Sequence, residues 1–97
     1  MSLSYKLTPA ADQDLVDIFV YTQNHWGKKQ AIQYLNELEQ GFLALAQGSN
    51  LGQARPEICE GYKAFYINKH IVFYRFYQKQ LEIIRILHQR MDIIHHL

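Results

Sequence analysis

Several features that define folds and sites in other proteins are scarce in this sequence. Its 97 residues include one cysteine and two prolines. The single cysteine, Cys59, excludes an internal disulfide and a CxxC metal knuckle, and we expect it to be a buried or half-buried small apolar residue. No apolar run approaches the roughly 20 residues of a membrane helix, and no signal peptide is visible. We therefore expect a soluble cytoplasmic protein with no membrane partner.

An excess of charge of one sign is also absent. The chain has 10 Lys and Arg against 9 Asp and Glu, a formal net charge of +1. Nucleic-acid binding would then need a local basic patch, so we expect no direct sequence-specific binding to nucleic acid. His88, His95 and His96 are not joined by a cysteine or carboxylate at the spacing of a metal site. We expect no metal and no cofactor.

The C-terminal half is rich in aromatic and β-branched residues. Three such runs, separated by short polar breaks, predict antiparallel strands near 62–67, 70–77 and 81–88, with a turn at 78–80. Arg75 and Arg85 lie inside these runs. A charge in an apolar run costs free energy unless it is paired or faces a groove, so function is to be sought here first.

The N-terminal half predicts a short strand at 4–7 and two helices. Thr8 can cap a first helix that begins at Pro9, and Gly27 ends it. A second amphipathic helix covers about 28–47, and a loop of about 14 residues follows at 48–61. We expect one α+β domain, residues 1–97, in the order β-α-α-β-β-β. A helical hairpin would pack on one face of a small, mainly antiparallel twisted sheet, and the first strand would lie at an edge or beside the last strand. The other sheet face would be exposed.

Two registers of the last hairpin remain open. If Tyr77 lies opposite Leu81, Arg75 and Arg85 share a sheet face and form a basic spot. If the turn is one residue shorter, Arg75 faces Glu82 in an ion pair and the two arginines diverge. Strict alternation also predicts that Arg85 and His88 point to opposite faces.

Ordered motifs along the chain carry a resemblance. They are Thr8-Pro-Ala-Ala with Asp14, Leu15 and Ile18, then Leu51-Gly52, Pro56-Glu57 and Gly61-Tyr62, then His70-Ile-Val-Phe-Tyr-Arg75, and finally Leu81-Glu-Ile-Ile-Arg-Ile-Leu-His-Gln-Arg-Met-Asp92 with His96-Leu97. Together they resemble the RelE/ParE toxins of bacterial type II toxin–antitoxin systems, which include plasmid-stabilisation toxins. The last motif looks most like the ParE branch, and the resemblance covers roughly residues 5 to 97.

The resemblance implies partners. ParE-like toxins are held inactive by a ParD-like, DNA-binding antitoxin whose C-terminal segment wraps the toxin. They typically poison DNA gyrase by protein–protein binding, whereas the RelE branch cuts mRNA in the ribosome. We therefore expect a toxin–antitoxin hetero-oligomer with gyrase as the target. A ribosome-dependent mRNA endonuclease is the alternative, and a non-toxic binding module is a second alternative.

Candidate site residues follow from these expectations. If the chain is a ribonuclease, Arg75, Arg85 and His88 are the catalytic candidates, with Glu57 or Glu60 as a distant base. The structural alternatives are an ion pair of Arg75 with Glu82 or Glu57, a paired Arg85, and a hydrogen-bonding His88. Residues 89–97 either pack back on the sheet or bind the target. Target binding is assigned to Arg75, Arg85, His88, Arg90, Met91 and Asp92. Antitoxin binding is assigned to Tyr21, Trp26, Tyr34 and Phe42. The alternatives are core or core-edge positions for Tyr21, Tyr34 and Phe42, and a cap on the helical hairpin for Trp26.

Overall fold

The computed structural model describes residues 5–48, 51–58 and 60–90. Ser4, Cys59, Met91 and Asp92, with the assignments made to them, lie outside these ranges. The elements are β1 (Tyr5–Leu7), α1 (Pro9–Trp26), α2 (Lys28–Gln47), β2 (Gln53–Ala54), β3 (Lys63–Ile67), β4 (His70–Tyr77) and β5 (Gln80–His88). The predicted α+β order is confirmed, with one correction: the segment predicted as a loop contains the two-residue strand β2. None of the helices in the described ranges is long and apolar enough to cross a membrane.

Helix α1 begins and ends where the sequence signals predicted. The Thr8 hydroxyl accepts a hydrogen bond from the Ala11 N–H at 3.1 Å, and Pro9 occupies the first helical position. Gly27 ends α1 with φ of 95°, a left-handed conformation that glycine adopts without steric cost. The α2 helix begins at the next residue, so the two helices form a tight hairpin and pack against each other.

The sheet has the strand order β1-β5-β4-β3-β2. β1 pairs with β5 in parallel, and the other neighbours are antiparallel. Parallel strands need a long crossover, and the chain from α1 to β4 supplies it here. The prediction that the first strand lies at an edge beside the last strand is confirmed.

Both faces of the sheet carry buried apolar residues. On one face, α1 and α2 cover a cluster that contains Ala11, Leu38, Phe42, Leu45, Val72, Tyr74, Leu81, Ile83 and Ile86. A second cluster contains Ala64, Ile71, Phe73 and Leu87, each at most 2 % exposed, with Ile58 and Ile84 packed against it. The prediction of an exposed second face is therefore wrong at these positions, because the segment before β3 places Ile58 against them.

A β-bulge interrupts the pairing of β4 with β5. Phe73 is opposite Arg85 but Tyr74 is opposite Ile83, so Ile84 is an extra residue on β5. Ile83 and Ile86 both belong to the helix-side cluster, whereas Ile84 packs against the second cluster. Strict alternation therefore fails along β5, since one inserted residue exchanges the two faces.

The turn between β4 and β5 resolves the open register. Tyr77 pairs with Gln80, and the two intervening residues, Gln78 and Lys79, have φ of 52° and 64°. Such a two-residue turn with positive φ matches the twist of antiparallel strands. Arg75 lies opposite Glu82, which is the second of the two predicted registers.

Gly52 generates a stability prediction. Its N–H donates to the Tyr74 hydroxyl at 3.1 Å, and a Cβ there would overlap that hydroxyl and lie 2.8 Å from the Ala64 carbonyl oxygen. Tyr74 is fully buried and packs within the helix-side core cluster. We expect Gly52→Ala to lower the free energy of unfolding by about 1–3 kcal/mol, measured by urea denaturation.

Gly48→Ala is the matched control. A Cβ at Gly48 would meet no atom within 4 Å, and its φ of −153° suits any residue. Its effect should stay within about 0.5 kcal/mol. Equal losses in the two variants would contradict the close approach at Gly52.

Candidate functional site

Asp14 joins α1 to the outer edge of β5. Its carboxylate accepts hydrogen bonds from Arg85 Nε at 2.8 Å, from Arg85 Nη2 at 2.9 Å and from the Ile86 N–H at 2.9 Å. The predicted alternative of a paired strand arginine is confirmed, and the bond to Asp14 raises the pKa of Arg85. The pairing of Asp14 with Arg85 was not predicted from the sequence. The position of Asp14 between Ala11 and Ile18, on the buried side of α1, was the available signal.

Arg75 forms a separate ion pair. Its Nε lies 2.7 Å from Glu82 Oε1, and its guanidinium lies 4.7 Å from the centre of the Tyr77 ring. The hydrogen bond to Glu82 raises the pKa of Arg75. Lys6 adds a longer contact to Glu82 at 3.8 Å. The predicted ion pair with Glu82 is confirmed.

His88 lies at the end of β5 and makes a local hydrogen bond. Its Nδ1 accepts from the Arg90 N–H at 3.1 Å, as the hydrogen-bonding alternative predicted. Its ring meets the His70 ring edge-on, with centroids 5.3 Å apart. Arg85 binds Asp14, and Asp14 lines the same groove as His88. The pairing of β4 with β5 is regular from Arg85 to His88, so the predicted opposite directions of these two residues agree with the register. Only the guanidinium group of Arg85 reaches the Asp14 carboxylate.

The three predicted catalytic residues are not assembled in one place. Arg75 is tied to Glu82, and Glu82 precedes Arg85 by three strand residues. At about 3.3 Å per residue, this places the two backbone positions roughly 10 Å apart. The Arg85 guanidinium group bonds to Asp14 of α1 and His88 lies at the end of β5, whereas Arg75 bonds to Glu82 near the start of that strand.

An open groove lies between the helices and one end of the sheet, and we call it the helix–sheet groove. Its helical wall includes Asp17, Tyr21, Trp26, Tyr34 and Glu37, and its sheet side includes Lys69, His70, Ile86, His88 and Arg90. Three of the four predicted antitoxin-binding residues line it. Tyr21 is 60 % exposed, Trp26 is 73 % exposed and Tyr34 is half-buried. The exposure of Trp26 disagrees with the alternative in which this residue caps the helical hairpin.

Phe42 differs from the other predicted antitoxin-binding residues. It is fully buried, and its ring packs edge-on against Tyr5 at 5.1 Å. It therefore belongs to the core alternative, and its side chain presents no surface to a partner. The assignment of Phe42 to antitoxin binding disagrees with the structure because this face of α2 points at the sheet.

Tyr34, His70 and His88 form a polar cluster in the floor of the groove. Burial, with the charge of Glu37, raises the pKa of Tyr34 to about 12, so the hydroxyl keeps its proton. It shares a hydrogen bond of 2.5 Å with His70 Nδ1. Burial, and then the neighbouring His88, lower the pKa of His70 to about 4, against a smaller opposing effect of Asp14. His70 is thus uncharged near neutral pH. The described residues contain no group of three side chains able to hold a metal ion.

Comparison with known proteins identifies the class to which this fold and surface belong, the toxins of type II toxin–antitoxin systems. The family described as "ParE toxin of type II toxin-antitoxin system, parDE" matches residues 5–93. The chain belongs to the ParE toxin family.

Sequence similarity to individual ParE toxins extends over nearly the whole length of both chains. The chain is 39 % identical to Toxin ParE1 of Mycobacterium tuberculosis over 94 residues, which cover 96 % of each chain. It is 38 % identical to Toxin ParE1 of Caulobacter vibrioides over 93 residues, again with 96 % of each chain covered. Among solved structures, a chain of the chromosomal ParDE system from P. aeruginosa has the same fold. Its TM-score is 0.77 at 24 % identity, with 89 % of this chain and 95 % of that chain covered.

The Asp14–Arg85 contact generates a stability prediction. Asp14→Asn removes the charge that balances an arginine whose side chain is only 23 % exposed. We expect the free energy of unfolding to fall by about 2–3 kcal/mol, since an unbalanced, partly buried charge remains. Asp12→Asn, an exposed change in the first turn of the same helix, should cost only about 0.3–1 kcal/mol. Chemical denaturation measures both, and a loss for Asp14→Asn no larger than the control's would contradict this account.

His70 generates a prediction about pH. Its pKa is about 4 in the folded chain and about 6.5 in an unfolded one. Between these values the unfolded chain binds a proton that the folded chain excludes. His70 thus has no effect on stability above about pH 6.5 and favours unfolding increasingly as the pH falls toward 4.

His70→Gln removes this source of acid sensitivity, because glutamine carries no titrating group. The free energy of unfolding, measured by urea denaturation from pH 7 to 5, should fall less steeply for the variant than for the wild type. Parallel curves for the two proteins would contradict a lowered pKa at His70.

Proposed function

We propose that this ParE-family toxin inhibits DNA gyrase by protein–protein binding and that a cognate antitoxin neutralises it. Membership of the ParE family supports this proposal, and the relatives that carry the toxin name match 96 % of the chain. The structurally similar P. aeruginosa chain comes from a ParDE toxin–antitoxin system, which supports an antitoxin as the partner of this chain.

One observation favours binding over catalysis: both strand arginines are engaged by carboxylates. Arg75 is held by Glu82 at 2.7 Å, and Arg85 is held by Asp14 at 2.8 and 2.9 Å. Cleavage of RNA needs cations directed at a phosphate and an acid–base pair around it. Here both arginines already form ion pairs within the chain, and the uncharged His70 is hydrogen-bonded to Tyr34. The arrangement therefore favours a target-binding surface over the mRNA endonuclease.

The end of β5 is the target surface that we propose. Arg90 is exposed, His88 is half-buried, and both line the helix–sheet groove. An antitoxin segment lying in the groove would cover them. Neutralisation would then follow from occlusion, because the toxin could not present these residues to gyrase while the antitoxin is bound.

The test is a gyrase supercoiling and DNA-cleavage assay with purified toxin, with and without ATP. We expect inhibition or trapped cleaved DNA, and loss of the effect when purified antitoxin is added first. Arg90→Glu should need about tenfold more toxin for half-inhibition, equivalent to about 1.4 kcal/mol of binding. Lys79→Glu makes the same charge change in the exposed turn before β5 and should behave as wild type.

Two outcomes would contradict the proposal. If toxin at high micromolar concentration leaves gyrase unaffected, gyrase is not the target. If cells expressing the toxin then show ribosome-dependent cuts in mRNA that vanish with Arg75→Ala or Arg85→Ala, and the variant remains folded, the endonuclease alternative replaces it.

A further inference from the structure

We infer that the helix–sheet groove binds a basic side chain of the antitoxin, preferably an arginine, on the wall formed by Tyr21, Trp26, Asp17 and Glu37. This inference rests on the proposed neutralisation by an antitoxin. It specifies which kind of side chain the groove recognises and in which direction the antitoxin segment lies.

The first argument for a basic partner residue is the negative charge of the helical wall. α1 contains three aspartates and no lysine or arginine. Asp14 is balanced by Arg85, whereas the described contacts of Asp17 and Glu37 are to neutral amides. Gln13 donates to Asp17 at 2.9 Å, and Asn68 donates to Glu37 at 2.9 Å. A carboxylate accepts about four hydrogen bonds, so both retain capacity for a cation from outside.

The second argument is the exposure of two aromatic rings on the same wall. Trp26 is 73 % exposed and Tyr21 is 60 % exposed. The Tyr21 ring is stacked on His25, with centroids 4.0 Å apart, so one of its faces is already occupied within the helix. A guanidinium group stacks on aromatic faces and forms two parallel hydrogen bonds to a carboxylate. A wall that combines exposed aromatic rings with unbalanced carboxylates suits arginine better than any apolar or acidic side chain.

The opposite side of the groove sets the orientation. Lys69 and Arg90 lie on the sheet side, where they would repel a second basic residue and attract an acidic one. The partner segment should therefore place its basic residue toward the helices and acidic or neutral residues toward the end of the sheet. This polarity disfavours a nucleic acid strand, whose charge is negative along its whole length.

The experiment measures binding of the purified cognate antitoxin to purified toxin by calorimetry at low and moderate salt. Asp17→Asn and Glu37→Gln should each weaken binding about tenfold, and the wild-type affinity should fall as salt is raised. Asp12→Asn is the matched control, because it makes the same change on α1 outside the groove. Trp26→Ala should also weaken binding about tenfold. Ile32→Ala removes an exposed apolar residue from α2 outside the groove and should leave the affinity unchanged.

A double-mutant cycle identifies the basic residue. Each arginine of the antitoxin's C-terminal segment is changed to glutamine and combined with toxin Asp17→Asn. One arginine should show a coupling energy, because its loss matters less once Asp17 is neutral. Trp26 is the only tryptophan of the toxin, so its fluorescence, recorded with an antitoxin lacking tryptophan, should change on binding and report occupancy of the groove directly.

Four outcomes would overturn the inference. Wild-type affinity in all groove variants would exclude the groove while leaving neutralisation intact. Tighter binding with Asp17→Asn would show that the partner presents an acidic group there. Loss of gyrase inhibition with unchanged antitoxin affinity would assign the wall to the target. Absence of antitoxin binding by wild-type toxin would instead remove the proposed neutralisation on which the inference rests.

Discussion

The contact between the Asp14 carboxylate and β5 connects the two halves of this molecule. β1 is only three residues long and covers β5 as far as Ile83. Beyond it, the Thr8 N–H and hydroxyl donate to the carbonyls of Ile83 and Ile84, and Asp14 then accepts from the Ile86 N–H. The start of α1 thus continues the hydrogen bonding of the edge after the strand itself has ended. Unpaired backbone groups at a buried edge are costly, so this contact fixes where the helix lies on the sheet.

The bulge at Ile84 makes that contact compatible with the groove. With strict alternation from Leu81 and Ile83, Ile86 and His88 would face away from the helices. The inserted residue returns both to the helix side, where Ile86 and His88 line the groove and His88 meets His70. The same insertion sends Ile84 to the second buried cluster. One extra residue therefore provides both a core contact on one face and the floor of a groove on the other.

Local signals were sufficient to predict both helices and every strand except β2, and non-local contacts account for most of what was missed. Thr8, Pro9 and Gly27 act within one turn of their own positions, so the helix boundaries followed from the sequence. The partner of Arg85 lies 71 residues away, and no local pattern identifies it. The bulge depends on how β4 and β5 fit together, and the burial of Phe73 on the second face depends on Ile58 and its surroundings. The exposure of Trp26 and the burial of Phe42 likewise depend on which side of the hairpin meets the sheet.

The charged residues fall into two groups: those paired within the fold and those that remain available around the groove. Arg75 and Arg85, the two arginines of β4 and β5, are each matched by a carboxylate with a side chain only 11 % exposed, so they contribute to folding and carry little net field. The charges that remain around the groove lie on separate sides, with Asp17 and Glu37 on the helices and Lys69 and Arg90 at the sheet. A partner that binds there must satisfy both signs in a fixed direction, which gives specificity more than strength. Because Arg90 and His88 belong to the same groove, a segment that satisfies those charges also hides the proposed target surface. Recognition of the antitoxin and neutralisation of the toxin are then consequences of a single binding event.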